Sequence, residues 1–293
     1  MSVVTAPFVA DLRPASTVIV LRDSPDGPQV FMVRRHEGTA FMGGAHVFPG
    51  GRVDPSDANA DPTWCDGLDH ARRQLAALRP DEAVAYHVAA ARELFEEAGV
   101  LLARSGDGRA VSLGGEAAHA RFKRYRAEVH DHVASLRDVL GREQLRLALD
   151  ELVSFAHWVT PPGDTRRFDT RFFVARVPAE QVPAHDETET TQSAWLTPFE
   201  ALGQARAGRI ILPPPTWTTL RELEPFTAVD AALAWARQRR IIRRQPQLVE
   251  HDGRRMLVLP GDPLYTDTAN DDMPVETRFV FIDRGWRAER APT

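Results

Sequence analysis

Three glutamates stand at i, i+3 and i+4 in the stretch Arg92-Glu93-Leu94-Phe95-Glu96-Glu97-Ala98-Gly99-Val100, so their carboxylates share one side of a helix. As a bare helix end this arrangement is electrostatically poor. Glu93 and Glu97 are a like-charged i,i+4 pair, which costs roughly 0.2–0.5 kcal/mol on an isolated helix. They also sit in the last turn, where the macrodipole favours cations. Arg92 offsets part of that repulsion. A divalent cation offsets more, because Mg²⁺ and Mn²⁺ prefer hard oxygen ligands. The competing reading is a solvated acidic helix end, since Glu-rich helices are common. Upstream lies Phe48-Pro49-Gly50-Gly51-Arg52-Val53-Asp54-Pro55. Two adjacent glycines let the backbone approach a ligand closely, and a carbonyl from this turn completes an oxygen site for a metal-bound diphosphate.

These groups need a scaffold, and the sequence outlines one. From about Asp81 to Ala98 the chain is rich in Ala and free of Gly and Pro, which predicts a helix. Val84, Val88, Ala91 and Phe95 give it a buried stripe, and Gly99 a stop. Residues 1–14 read as a loose lead-in. Residues 17–21 and 29–35 read as strands joined by the Ser24-Pro25-Asp26-Gly27-Pro28 turn. Residues 45–48 form a short strand before the glycine turn. Leu68, Arg72, Leu75 and Leu78 suggest a short helix. Residues 116–150 read as helical, with Phe122, Tyr125, Val129, Val133, Leu136 and Leu140 as one stripe and Leu145, Leu149 and Leu152 continuing it. Strands resume at 152–159, 168–177 and 194–196. Thr197, Pro198 and Glu200 have the N-cap, N1 and N3 chemistry of a helix start. Two more helices follow, from about Thr216 and over 228–240, and then a hairpin, 248–250 with 256–258, turned at Asp252-Gly253.

Composition narrows the class. The 293 residues are 43% hydrophobic and 26% charged with net charge −5, which is ordinary for a soluble globular chain and implies no general attraction to nucleic acid or anionic membrane. One cysteine, Cys65, permits no intrachain disulfide and suits a reducing cytosol, so a cytoplasmic location is expected. No signal-like N-terminus and no apolar run of membrane-spanning length is present.

The stretch from Arg92 to Val100 resembles the second half of the Nudix box at every fixed position, and Gly51 resembles its opening glycine. Six residues on, where that family has Glu, this chain has Asp57, and thirty-four residues separate Asp57 from Arg92 where the family has seven. The box is therefore split by an insertion. Either Asp57 or Glu82 takes the first glutamate's role, or the role is vacant. The Ala40-to-Gly51 loop, the stretch from Arg166 to Phe173 and Leu212-Pro213-Pro214-Pro215-Thr216 are similar to the coenzyme-A diphosphatase branch found in peroxisomes and its bacterial relatives.

The resemblance implies an α/β Nudix fold, a mixed β-sheet between helices, with helical insertions and a C-terminal extension. The Nudix domain is expected over 15–205, with 58–83 splitting the box and 116–150 as extra helices, a cap or a homodimer face. The extension covers 206–293. The implied reaction is metal-dependent hydrolysis of a nucleoside-linked diphosphate, a small molecule: coenzyme A or acyl-coenzyme A, cut to 3′,5′-ADP and (acyl-)phosphopantetheine. Alternatives are ADP-ribose or a dinucleotide, or a non-catalytic ligand-sensing module. By resemblance, Glu96 and Glu97 ligate Mg²⁺ or Mn²⁺ with the Gly50 carbonyl, Glu93 ligates or acts as base, and Arg92 orients the carboxylates. Glu189, with Glu187 as its rival in the acidic loop, completes the shell or serves as base. Arg166, Arg167 and Arg171 suit phosphate binding and stacking, and Arg34 and Gly51 join them as substrate contacts. His36, His46 and His87 read as structural, and Cys65 as inert.

Overall fold

In the computed structural model the described residues are 11–38, 43–186, 190–266, 276–282 and 285–291. The glycine turn and its surroundings come first: β1 (Leu12–Arg22), β2 (Gln29–Arg35), β3 (His46–Val47), β4 (Gly50–Arg52) and a 3-10 turn (Pro55–Asn59). The insertion adds β5 (Cys65–Asp66) and α1 (Leu68–Gln74) before the glutamate helix, α2 (Pro80–Ala98). Next are β6 (Ala103–Arg104), α3 (Glu116–His130), α4 (Leu136–Glu143) and β7 (Arg146–Ala148). The second half runs β8 (Val153–Val159), β9 (Arg167–Arg176), β10 (Thr190–Leu196), α5 (Pro198–Arg206), α6 (Pro214–Leu223) and α7 (Val229–Gln238). It closes with β11 (Arg243–Arg244), β12 (Gln247–His251), β13 (Arg254–Val258), β14 (Arg278–Ile282) and β15 (Gly285–Glu289).

The central sheet is mixed, in the order β10-β2-β1-β9-β8-β11, with β3 on β2 and β4 on β1. β1 and β9 run parallel from the Leu12–Arg167 pair to the Leu21–Arg176 pair, while β1–β2, β2–β10 and β8–β9 are antiparallel. Successive side chains on these strands alternate between two apolar cores. Val18, Val20, Phe31, Val33 and Phe173 pack with α1 to α4 on one face. Ile19, Leu21, Val30, Met32 and Val174 pack with α5 to α7 and the C-terminal strands on the other. Burial on both faces is why β1 shows a continuous rather than alternating apolar run.

Local chemistry explains the element ends. Gly99 adopts φ 68°, the left-handed stop expected after α2. Thr197 Oγ1 accepts from the Glu200 amide at 3.2 Å while Glu200 Oε2 accepts from the Thr197 amide at 2.8 Å, the reciprocal cap that the sequence indicates. Asp252 and Gly253, at φ 52° and 69°, make the two-residue turn between β12 and β13.

Three expectations are corrected. The lead-in is strand from Leu12 onward, because β9 offers a partner along its whole length. Residues 116–150 are not all helix: Gln144 ends α4 at φ 54°, and β7 then joins β5 and β6 in a small sheet. Leu145, Leu147 and Leu149 also alternate at period two, and the available strand partners decide the outcome over the helical spacing. Finally, the C-terminal hairpin is half of a four-stranded sheet, β12-β13-β14-β15. Among the described residues no helix is long and apolar enough to cross a membrane.

His87, in the middle of α2, is fully buried: its Nδ1–H donates to the Ala83 carbonyl at 2.8 Å and its ring lies 4.5 Å from that of Phe173. Burial, more than the nearby His70, pushes its pKa down to about 4, so it folds neutral. A base with a depressed folded pKa leaves stability intact above the unfolded value near 6.5 and loses it as pH falls toward 4. Urea denaturation at pH 7, 6 and 5 should therefore show a loss reaching up to roughly 3 kcal/mol by pH 4 from this group, and His87→Leu should flatten that slope. An unchanged slope in the variant would exclude His87 as its source.

Candidate active site

The glycine turn is built against β1, where Thr17 pairs with Gly50, Ser16 with Gly51 and Ala15 with Arg52. The chain then enters the 3-10 turn that carries Asp57, only 3% exposed, beneath α2. There Arg92 collects the site. Its Nε and Nη2 donate to the two oxygens of Asp57 at 3.1 and 3.0 Å, and its Nη1 to Glu93 Oε1 and Glu96 Oε1, each at 2.9 Å. Nη2 also reaches the Arg52 carbonyl at 2.9 Å. Burial opposes the Arg92 charge, but the Asp57 hydrogen bonds and the fields of Glu93, Asp57 and Glu96 outweigh it, so its pKa lies above the ordinary arginine value. Glu97 Oε2 accepts from the Gly50 amide at 2.8 Å.

Of the two candidates for the first glutamate's role, Asp57 is the one that contacts Arg92. Glu82 belongs to the other end of α2, where it caps the helix and bonds Arg79 Nε at 3.1 Å. Ten residues of helix put it about 15 Å from Arg92. The thirty-four residues between Asp57 and Arg92 do not disturb this contact, because Trp64, Cys65, Leu68, Ala71 and Leu75 of the insertion are themselves part of the core against α2.

Neither glycine of the turn can carry a side chain unnoticed. A Cβ on Gly51 would lie 2.5 Å from the Glu93 carboxyl group, and one on Gly50 would strike the Ser16 carbonyl and lie 2.6 Å from Thr17 Cα. The first obstacle is the mobile end of a side chain, the second is backbone.

The cluster floors a cleft of about 1080 Å³. Gly50, Gly51, Arg92, Glu93, Glu96 and Glu97 line one end, Arg13, Arg35, Arg52 and Arg166 add positive charge, and His130 and His132 reach in from the end of α3. Arg126, one helical turn before His130, ties α3 to α2 through a 2.6 Å bond to the Glu96 carbonyl. The donor set fits a hard divalent cation: one guanidinium is shared among Asp57, Glu93 and Glu96, leaving net negative charge on oxygen ligands of the type that Mg²⁺ and Mn²⁺ select. Among the described residues no three His, Cys, Asp or Glu side chains converge on one point as a finished metal shell.

The other expected residues are divided by strand geometry. Arg166 lines the cleft, whereas Arg34, Arg167 and Arg171 are not among its lining residues. On β2 alternation sends neighbours to opposite faces, so Arg35 reaches the cleft while Arg34 bonds Glu37 at 2.6 Å. On β9, Phe168, Thr170 and Phe172 take the cleft side. Arg167, Asp169 and Arg171 take the other. There Arg167 Nε donates to the Thr160 carbonyl at 3.3 Å and the Arg171 guanidinium stands 5.6 Å from the Tyr86 ring centre. His157 Nε2 bonds Asp169 at 2.9 Å; burial pushes the Asp169 carboxyl up, but His157 and Arg171 outweigh it and hold its pKa low. Glu187 and Glu189 lie outside the described residues, as do 39–42 of the preceding loop. Cys65 is buried and its thiol is pushed up to about 12 by burial, which removes it as a nucleophile. Arg13, His130 and His132 had no local sequence signal: each depends on which strand or helix end the fold brings to the glycine turn.

The profile of the NUDT19 Nudix domain matches residues 68–223. The chain belongs to the Nudix family. Its relatives include the human protein named acyl-coenzyme A diphosphatase NUDT19, 30% identical over 88% of this chain and 78% of that protein. The Xenopus laevis protein of the same name is 27% identical over 82% of this chain and 72% of that one. Among solved structures, a Nudix hydrolase from Alicyclobacillus acidocaldarius superposes with a TM-score of 0.64 at 28% identity, covering 77% of this chain and 96% of its own. This Nudix chain has the mixed sheet between helices that its box implies.

The two glycines separate activity from stability. Gly51→Ala should displace the Glu93 carboxyl group, lowering hydrolysis at least about tenfold while changing unfolding free energy by less than about 1 kcal/mol. Gly50→Ala should cost about 1–3 kcal/mol of stability by overpacking. Steady-state assays alongside chemical denaturation test this contrast, and equal stability losses in the two variants would refute it.

Proposed function

We propose that this Nudix hydrolase cleaves the diphosphate of coenzyme A or acyl-coenzyme A, releasing 3′,5′-ADP and (acyl-)phosphopantetheine. The observation that carries this reading is the extent of the similarity to proteins named acyl-coenzyme A diphosphatase, which runs over 82–88% of the chain in the relatives cited. The cleft supports it, lined by carboxylates and arginines together with aromatic and aliphatic side chains.

Water adds to one phosphorus of the diphosphate and the bridging P–O bond breaks, so the two halves separate as phosphate monoesters, 3′,5′-ADP and (acyl-)phosphopantetheine. A bound Mg²⁺ or Mn²⁺ supplies charge neutralisation of the diphosphate oxygens and a water of lowered pKa. Glu93, Glu96 and Glu97 would hold the metal, with the Gly50 carbonyl as a further oxygen. Glu93 or Glu189 accepts the proton of the attacking water. Arg92 keeps the carboxylates apart and aimed, which is a positioning role. Arg13, Arg35, Arg52 and Arg166 face the phosphates, where guanidinium geometry suits oxyanions. Phosphoryl transfer asks a protein mainly for position and charge, and this set supplies both. Cytosolic work is part of the proposal and rests on the single reduced cysteine.

Mass spectrometry of products tests the proposal. The protein is incubated with Mg²⁺ or Mn²⁺ and coenzyme A, acyl-coenzyme A, ADP-ribose or NADH. Appearance of 3′,5′-ADP is the expected result. AMP from ADP-ribose or NADH alone would retain the hydrolysis and reject this substrate, and no product from any would point to a sensing module. Glu97→Gln should lower turnover at least about a hundredfold, and full activity in that variant would remove the carboxylate cluster from the mechanism.

A further inference from the structure

The C-terminal sheet lies beyond the residues matched to the Nudix domain, which end at 223, yet it forms part of the cleft. Its register shows how. Leu248 pairs with Leu257, Leu257 with Phe279, Phe279 with Ala288 and Phe281 with Trp286. Directly opposed residues share a face, as do residues two apart on one strand. Leu248, Arg255, Leu257, Phe279 and Trp286 therefore stand on one side, and Val249, Met256, Val258 and Val280 on the other. The second side closes a small core of its own. The first is divided between two tasks: Leu257, Phe279 and Trp286 pack on the core shared with α5 to α7, and Leu248, Arg255, Leu257 and Trp286 line the cleft.

Leu248 is 44% exposed although it sits in this cleft. An open leucine and, across the sheet, a tryptophan are an unusual lining for a site that also holds carboxylates and guanidinium groups, and they are suited to aliphatic chain. Trp158 of β8 lines the same cavity and is only 4% exposed. At about 1080 Å³ the cavity slightly exceeds the usual range for drug-sized ligands, so there is room beyond a nucleotide.

We infer that the inner face of the C-terminal sheet is the subsite for the acyl-pantetheine arm, with Leu248, Leu257 and Trp286 contacting the aliphatic chain. This rests on the coenzyme A reading above and deepens it: the carboxylate cluster performs the hydrolysis, and the C-terminal sheet selects what is attached to the diphosphate.

Two measurements on the full chain test this. First, a dodecanoyl-coenzyme A bearing a diazirine at the chain end is irradiated with the protein in EDTA, so that no turnover intervenes, and labelled peptides are sequenced. Label within 246–258 or 285–289 is expected. Label confined to the α3–α4 region overturns the assignment. Second, kcat/KM is measured for dodecanoyl-coenzyme A and for free coenzyme A. Trp286→Ala should lower the ratio of the two about tenfold, mainly through KM for the acyl substrate, and Trp286→Phe should recover most of it. A loss that leaves the ratio unchanged would make Trp286 structural only and reject the subsite. Failure of the substrate reading looks different: the wild type would then release no 3′,5′-ADP from either substrate, whatever the label shows.

Discussion

A single guanidinium governs the site. Arg92 stands among carboxylates that would repel one another without it, and its fixed fork decides where they stand. Asp57 takes two of its nitrogens and buries one side of the fork, leaving Nη1 to divide itself between Glu93 and Glu96. The bond to the Arg52 carbonyl fastens the same group to the strand that carries the glycines. Glycine turn, 3-10 turn and glutamate helix are three separate pieces of chain, and Arg92 touches all of them. A lysine there would bring one point charge and no fork, and the pieces would lose their common reference.

The cleft above the cluster is composite. Its acidic floor belongs to the face packed by α2, its aromatic side to β8 and β9, and another wall to the C-terminal sheet. Both cores contribute, because β1 and β9 send alternate residues to each. A site that draws on both faces depends on the sheet's register more than on any one loop. A slip by one residue in β9 would exchange Phe168, Thr170 and Phe172 for Arg167, Asp169 and Arg171, replacing an aromatic lining by charges.

What was legible in the sequence was local. Gly99 stops α2, Thr197 and Glu200 cap α5, and Asp252-Gly253 turns the hairpin because each signal acts within a few residues of itself. The Nudix box could be read despite its interruption because each half keeps its own spacing. What was illegible was set by partners distant in sequence. Choosing Arg35 over Arg34, or Arg166 over Arg171, requires knowing which strand face meets the cleft. The strand at β7 is fixed by Cys65 and Ala103, and neither is near it in the chain. Likewise β14 and β15 have strand-like residues, but nothing in them indicates that their inner face adjoins a site begun more than two hundred residues earlier.

The ten-rung parallel ladder between β1 and β9 has a consequence for how the molecule is made. Its first pair, Leu12 with Arg167, closes a loop of 155 residues. Contacts so far apart in sequence form late, since the entropy of closure must be met before they contribute anything. The glycine turn hangs on β1, so the site stays unassembled until β9, some 155 residues further along the chain, has left the ribosome. At 5–20 residues per second the N-terminal strand waits roughly ten seconds or longer for its neighbour. During that interval its apolar run of Val18 to Leu21 is an unpaired edge on one side. β2 can dock against β1 early and cover the other side, so the first hairpin also shields the growing chain.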